Sequence, residues 1–126
     1  MSISSLLNSL FRTVPRIAPD EAVRRAGAGE LTLIDIRDER AIRRAGGGRA
    51  AGAVHVPALK LRHIAYPKSP AFNPALDPGR AVAVFGEAGS DTEFAARSLM
   101  KMGYAEVYDL GALSAWVAGG GPCEAA

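Results

Sequence analysis

Residues 81–103 read AVAVFGEAGSDTEFAARSLMKMG, and the period of the apolar pattern changes once along them. Ala81, Val82, Ala83, Val84 and Phe85 form an unbroken apolar run of strand length, as a strand covered on both faces of a parallel sheet requires. Phe94, Ala95, Leu99 and Met102 then recur at helical spacing, predicting one buried helix face, and Gly103 stands where a left-handed residue ends a helix. Between the two lie Gly86, Glu87, Ala88, Gly89, Ser90, Asp91 and Thr92. A turn of this kind aims backbone N–H groups at one point above the helix N-terminus, a cradle for an anion or another small ligand. The expected fold is α/β, a mainly parallel sheet with helices on both faces and a crevice at the carboxyl ends of the strands.

Upstream, Pro19, Asp20 and Glu21 open a helix with a proline and two acids where the helix dipole favours them, and Gly27-Ala28-Gly29 stops it. Residues 31–36 follow as a strand closed by Asp35 and Arg37, which are read as a buried or half-buried pair with a further place on the rim of the cleft. A short helix is expected over residues 38–44, with Arg40, Arg43 and Arg44 solvated. Together with Arg37 and Arg49 these make the main basic concentration of the chain, a solvated face or an anion-attracting rim. Gly46-Gly47-Gly48 is a flexible turn without the Gly-Lys-Ser or Gly-Lys-Thr ending of a phosphate loop. Residues 53–57 read as a short strand ended by Pro57, with His55 as a hydrogen-bonded core residue; its neighbours have no metal-ligand spacing. The proline-rich residues 66–78 and the turn Asp77-Pro78-Gly79 connect to the central strand.

This chain of 126 residues, 48% of them hydrophobic, suits one domain with a substantial core, placed at residues 15–126. Residues 1–14 precede it as an amphipathic helix with Ile3, Leu6, Leu7, Leu10 and Val14 on one face. That face is expected to pack on the domain or on a second copy, giving a homodimer. Its first basic residue is Arg12, so it resembles neither a secretory signal nor a membrane-surface helix. A net charge of +2 and 6% aromatic content give no nucleic-acid footprint. The single cysteine, Cys123, excludes an intramolecular disulfide and a cysteine zinc cluster. A reducing, cytoplasmic location is expected, with no cofactor and no metal.

Four stretches in order carry a resemblance to the rhodanese, or sulfurtransferase, domain of the stand-alone bacterial type: LIDIR at residues 33–37, GRAAGA at 48–53, the central strand and turn, and YDLGALSAW at 108–116 with the GGPCE tail at 120–124. Such a domain carries the loop pattern Cys-x-x-Gly-x-Arg-Ser. Aligned on it, this chain has Gly86 for the cysteine, Gly89 in common, Asp91 for the arginine and Thr92 for the serine. A sulfur carrier needs a thiolate, which N–H groups and cations stabilise and carboxylates do not, and here Glu87 and Asp91 flank the place of the missing thiol. The resemblance thus implies a rhodanese-like domain that has lost sulfur transfer, has no catalytic residue in the loop, and serves to bind a small anionic ligand or a protein partner.

Three other readings bear on the same residues. Ser90-Asp91-Thr92-Glu93 fits a capping box that would use the loop N–H groups internally. A sulfurtransferase working through Cys123 or a partner's cysteine is the rival function, although Cys123 lies in the tail with no group nearby to lower its pKa. Hydrolysis or cation binding by Glu87 and Asp91 is the third.

Overall fold

The computed structural model describes residues 13–87 and 91–125. The expected helix over residues 1–14 therefore lies almost wholly outside them. In chain order the elements are α1 (Pro19–Gly27), β1 (Thr32–Asp35), α2 (Glu39–Arg44), β2 (Arg49–Ala50), β3 (Val54–His55), a 3-10 turn (Ala58–Lys60), α3 (Leu61–Ala65), β4 (Val82–Gly86), α4 (Thr92–Lys101), β5 (Val107–Ala112), α5 (Leu113–Ala118) and β6 (Cys123–Glu124).

The central sheet has the order β3-β1-β4-β5 and every pairing in it is parallel. β4 is buried at all five residues, because it lies inside the sheet and is covered on both faces. Period-two alternation divides its side chains and those of β1 between two cores. Ile34, Ile36, Val82 and Val84 face Leu61 and Ala65 of α3 and Ala95, Ala96 and Leu99 of α4. Leu33, Ala83 and Phe85 face Ala22 of α1 and Trp116 of α5. Ala95 and Ala96 are the small residues through which α4 packs on this face of the sheet. The fold is thus α/β with helices on both faces, as expected.

Several local signals hold. Asp20 and Glu21 sit in the first turn of α1, behind Pro19. Asp38, expected as the first residue of the helix over 38–44, stands instead just ahead of α2 and caps it, its side chain accepting from the N–H of Ala41 at 2.7 Å. Gly103 has φ +101° just past α4, the left-handed stop that its sequence position predicts. Asp77-Pro78-Gly79 closes a turn in which the Gly79 N–H donates to Asp77 Oδ1 at 2.9 Å. From the connection around it, Leu76 is buried in the first core and Phe72 packs against it. No described helix is long and apolar enough to cross a membrane.

Two features correct or extend the sequence reading. Phe94, expected on the buried face of α4, is 73% exposed; the buried positions are Thr92, Ala95, Ala96 and Leu99. The tail does not hang free: β6 pairs antiparallel with β2, Cys123 opposite Ala50 and Glu124 opposite Arg49. Trp116 anchors this closure by donating from Nε1 to the Pro122 carbonyl at 2.9 Å.

Candidate functional site

β1 and β4 end side by side, with the Ile36 N–H donating to the Phe85 carbonyl at 3.0 Å. This is the carboxyl edge of a parallel sheet, where helix N-termini and loops converge and ligands bind. A cavity of about 140 Å³ lies here, lined by Ile36, Arg37, Asp38, Ala41, Ala58, Gly86, Glu87 and Asp91. Gly86, the buried last residue of β4, pairs with Ala112. One residue before that pair the register slips: Val84 faces Asp109 but Phe85 faces Gly111. A bulge of this kind re-aims the end of a strand. Gly111 takes φ +90° there, and its N–H donates to Asp109 Oδ1 at 2.8 Å.

Arg37 and Asp35 are locked together. Nε donates to both carboxylate oxygens at 3.0 and 3.2 Å and Nη2 to Oδ2 at 2.8 Å, while each side chain is 2% exposed. Nη2 also donates to the Gly48 carbonyl at 3.0 Å, and the guanidinium stacks over the Phe85 ring at 5.9 Å. The sequence reading of a buried pair therefore holds. Arg37 also borders the cavity, but Asp35 has neutralised its charge, so it is no free anion receptor. His55 closes the layer behind it: Nε2 donates to the Arg37 carbonyl at 2.6 Å, and Nδ1 lies 3.5 Å from Glu39 Oε1.

The mouth of the cavity is acidic. Glu87 is exposed, with Oε1 3.4 Å from Arg44 Nη2. Asp91 is exposed immediately before α4, whereas Thr92, the first residue of that helix, is buried. Asp38 is the third carboxylate, already committed to capping α2. Ala88, Gly89 and Ser90 lie outside the described residues, and with them the cradle and the Ser90 half of the capping box. Its other residue, Glu93, accepts from Arg97 Nη2 at 2.8 Å, one helical turn on. Of the five basic residues that the sequence groups together, Arg44 and Arg49 pair with Glu87 and Glu39, Arg37 is buried, and Arg40 and Arg43 are exposed.

Sequence reasoning missed a second, larger depression. It has a volume of about 640 Å³ and shares Ala58 and Asp91 with the first, but runs away from it between α3 and α4, past Leu59, Arg62 and Phe94. The assignment of Phe94 to the core hid it. Ala95 and Ala96 were the available signal, since two adjacent small residues fill the sheet-facing side of a helix without help from a neighbouring Phe.

A family profile described as Rhodanese-like domain matches residues 18–119. No curated protein matches this sequence. A Rhodopseudomonas palustris protein of unknown function, described as a possible tyrosine phosphatase, superposes with a TM-score of 0.75 at 25% identity, over 98% of this chain and 95% of that one. The rhodanese-like domain of an Anabaena protein gives a TM-score of 0.69 at 27% identity, over 89% and 80% of the two chains. A human single-domain sulfurtransferase, 21% identical over 83% of this chain and 96% of its own, has the same fold at a TM-score of 0.69. Cys123 lies beyond the matched span, and β4 ends on Gly86. By its sequence and by its fold, the chain belongs to the rhodanese-like domain family.

Proposed function

We propose that this protein is a rhodanese-like domain that binds instead of transferring sulfur, its degenerate loop edge holding a small ligand or a side chain of a protein partner. The observation that carries this reading is the chemistry at the end of β4: a cavity opens there, and the residue at the nucleophile's position is Gly86, with Glu87 and Asp91 beside it. Carboxylates raise the pKa of a neighbouring thiol and repel an anionic sulfur donor, so these surroundings oppose sulfur transfer as well as lacking its nucleophile. The lining instead suits a cationic or hydrogen-bond-donating group, with Arg37 neutralised by Asp35, the Asp91 carboxylate facing solvent, and Glu87 held only by an exposed pair with Arg44.

Two measurements test this. Thiosulfate with cyanide, or with a thiol acceptor, is expected to give no turnover above the buffer rate. Activity that disappears in Cys123→Ser would overturn the proposal in favour of the tail cysteine as sulfur carrier. In parallel, N-acetyl-arginine amide titrated into the labelled protein should shift the amides of Gly86 and Glu87, and Glu87→Gln with Asp91→Asn should abolish the shift. Unmoved amides in the wild type would remove the loop edge as a cation-accepting site.

A further inference from the structure

The larger depression has a direction. Its two sides are residues 58–65 and α4, which run alongside each other in the same sense: Ala58 meets Asp91 where the two cavities join, and the Tyr104 hydroxyl, just beyond the other end of α4, donates to the Ala65 carbonyl at 2.7 Å. From Asp91 to Lys101 the helix spans about 15 Å at 1.5 Å per residue. The charges separate along that length. Asp91 stands at the loop end, whereas Lys101 stands at the far end and Arg62 on the facing wall. The Arg62 guanidinium is held against that wall, 5.8 Å from the centre of the Tyr66 ring. Among the described residues neither Arg62 nor Lys101 has a carboxylate partner within ion-pair distance.

The surface between these charges is apolar. Leu61 and Ala95 form its floor and belong to the core, and Leu59 and Phe94 form its lips at 101% and 73% exposure. Three large hydrophobic side chains are exposed among the described residues, and two of them border this one groove. Isolated exposed apolar residues need no explanation, but a pair flanking a concave surface beside two cations without a carboxylate partner among the described residues has the make-up of a ligand site. Its volume of about 640 Å³ falls within the usual span of small-molecule pockets, roughly 300–1,000 Å³.

We propose that this groove binds an amphiphilic organic anion: an extended alkyl or aryl body along Leu61, Phe94 and Ala95, with one carboxylate-type head at Arg62 and Lys101. Charge complementarity sets the orientation, because Asp91 repels the head from the loop end while Arg62 on the facing wall and Lys101 at the far end attract it. The site stands whether or not the loop transfers sulfur, since none of its chemistry passes through Gly86.

The experiment is calorimetric titration of the full chain with decanoate, and with 1-decanol as the uncharged analogue. Decanoate is expected to bind at one site. Phe94→Ser, and separately Arg62→Glu with Lys101→Glu, should each weaken it by about tenfold or more. Decanol binding should fall in Phe94→Ser and remain in the charge-reversed variant. All three residues are solvent-facing, so the variants should melt with the wild type; should one fail to fold, decanoate-induced amide shifts in the wild type decide, and these should centre on residues 61–62 and 94–101. Shifts elsewhere, equal binding by the charge-reversed variant, or no saturable heat would overturn the proposal. So would sedimentation with phosphatidylglycerol vesicles without binding of monomeric decanoate, which would make the patch a membrane-contact surface.

Discussion

Replacing Asp35 by Ala removes one half of a fully buried ion pair, and its consequence follows from the geometry. The Arg37 guanidinium is 2% exposed and donates to Asp35 through Nε and Nη2, leaving the Gly48 carbonyl as its remaining hydrogen-bond acceptor. The Arg37 backbone N–H also loses its acceptor, Asp35 Oδ1 at 3.0 Å. Stranding a buried charge in this way costs about 3–5 kcal/mol. That is a large part of the roughly 5–15 kcal/mol that holds a domain together, and for a chain of this size it lowers Tm by about 10–20 °C. Asp35→Leu with Arg37→Met removes both charges, leaving the Arg37 N–H and the Gly48 carbonyl unpaired at about 1 kcal/mol each. The double variant should therefore be more stable than Asp35→Ala. Urea denaturation at constant m measures both. A loss below about 1 kcal/mol in Asp35→Ala would mean that the guanidinium reaches water, refuting the burial on which the reasoning rests; a double variant less stable than the single would refute the charge as the cause.

Burial, with the Asp77 charge adding to it, pushes the Tyr104 hydroxyl up to about 12. Unfolded, it ionises near about 10, so between these values the unfolded chain has lost a proton that the folded one keeps, and stability falls as pH rises through that window. In Tyr104→Phe the urea midpoint should drop less between about pH 9 and about pH 11 than in the wild type, at the expense of about 1 kcal/mol at neutral pH from the bond to the Ala65 carbonyl. Gly86→Cys places a thiol between Glu87 and Asp91 and should show little thiosulfate:cyanide activity, whereas Gly86→Cys with Asp91→Arg should show clearly more; equal rates would mean that the charge at Asp91 is immaterial. In Gly121→Ala the new Cβ would overlap the Trp116 indole, which lies directly on the Gly121 backbone, so a loss of about 1–3 kcal/mol by urea denaturation is expected.

What the sequence determined by itself was whatever depends on neighbours along the chain. The unbroken apolar run at residues 81–85 required a strand covered on both faces, and β4 is buried throughout. Pro19 with its two acids, Asp77-Pro78-Gly79 and Gly103 acted as a start, a turn and a stop because those effects reach only three or four residues. The order of the motifs indicated the family, and Gly86 the missing nucleophile. Tertiary structure decided which face each residue turns to and what it meets. Helical spacing fitted Phe94 as well as Ala96, and the fold buries Ala96 against the sheet and turns Phe94 outward. That leaves Phe94 on the surface opposite Leu59, more than thirty residues away in the chain. Likewise, only the fold brings Gly48 to Arg37 and pairs the tail cysteine with Ala50. Contacts between distant segments depend on chain closure and on the shape of both partners, and a periodic pattern in either segment alone carries neither.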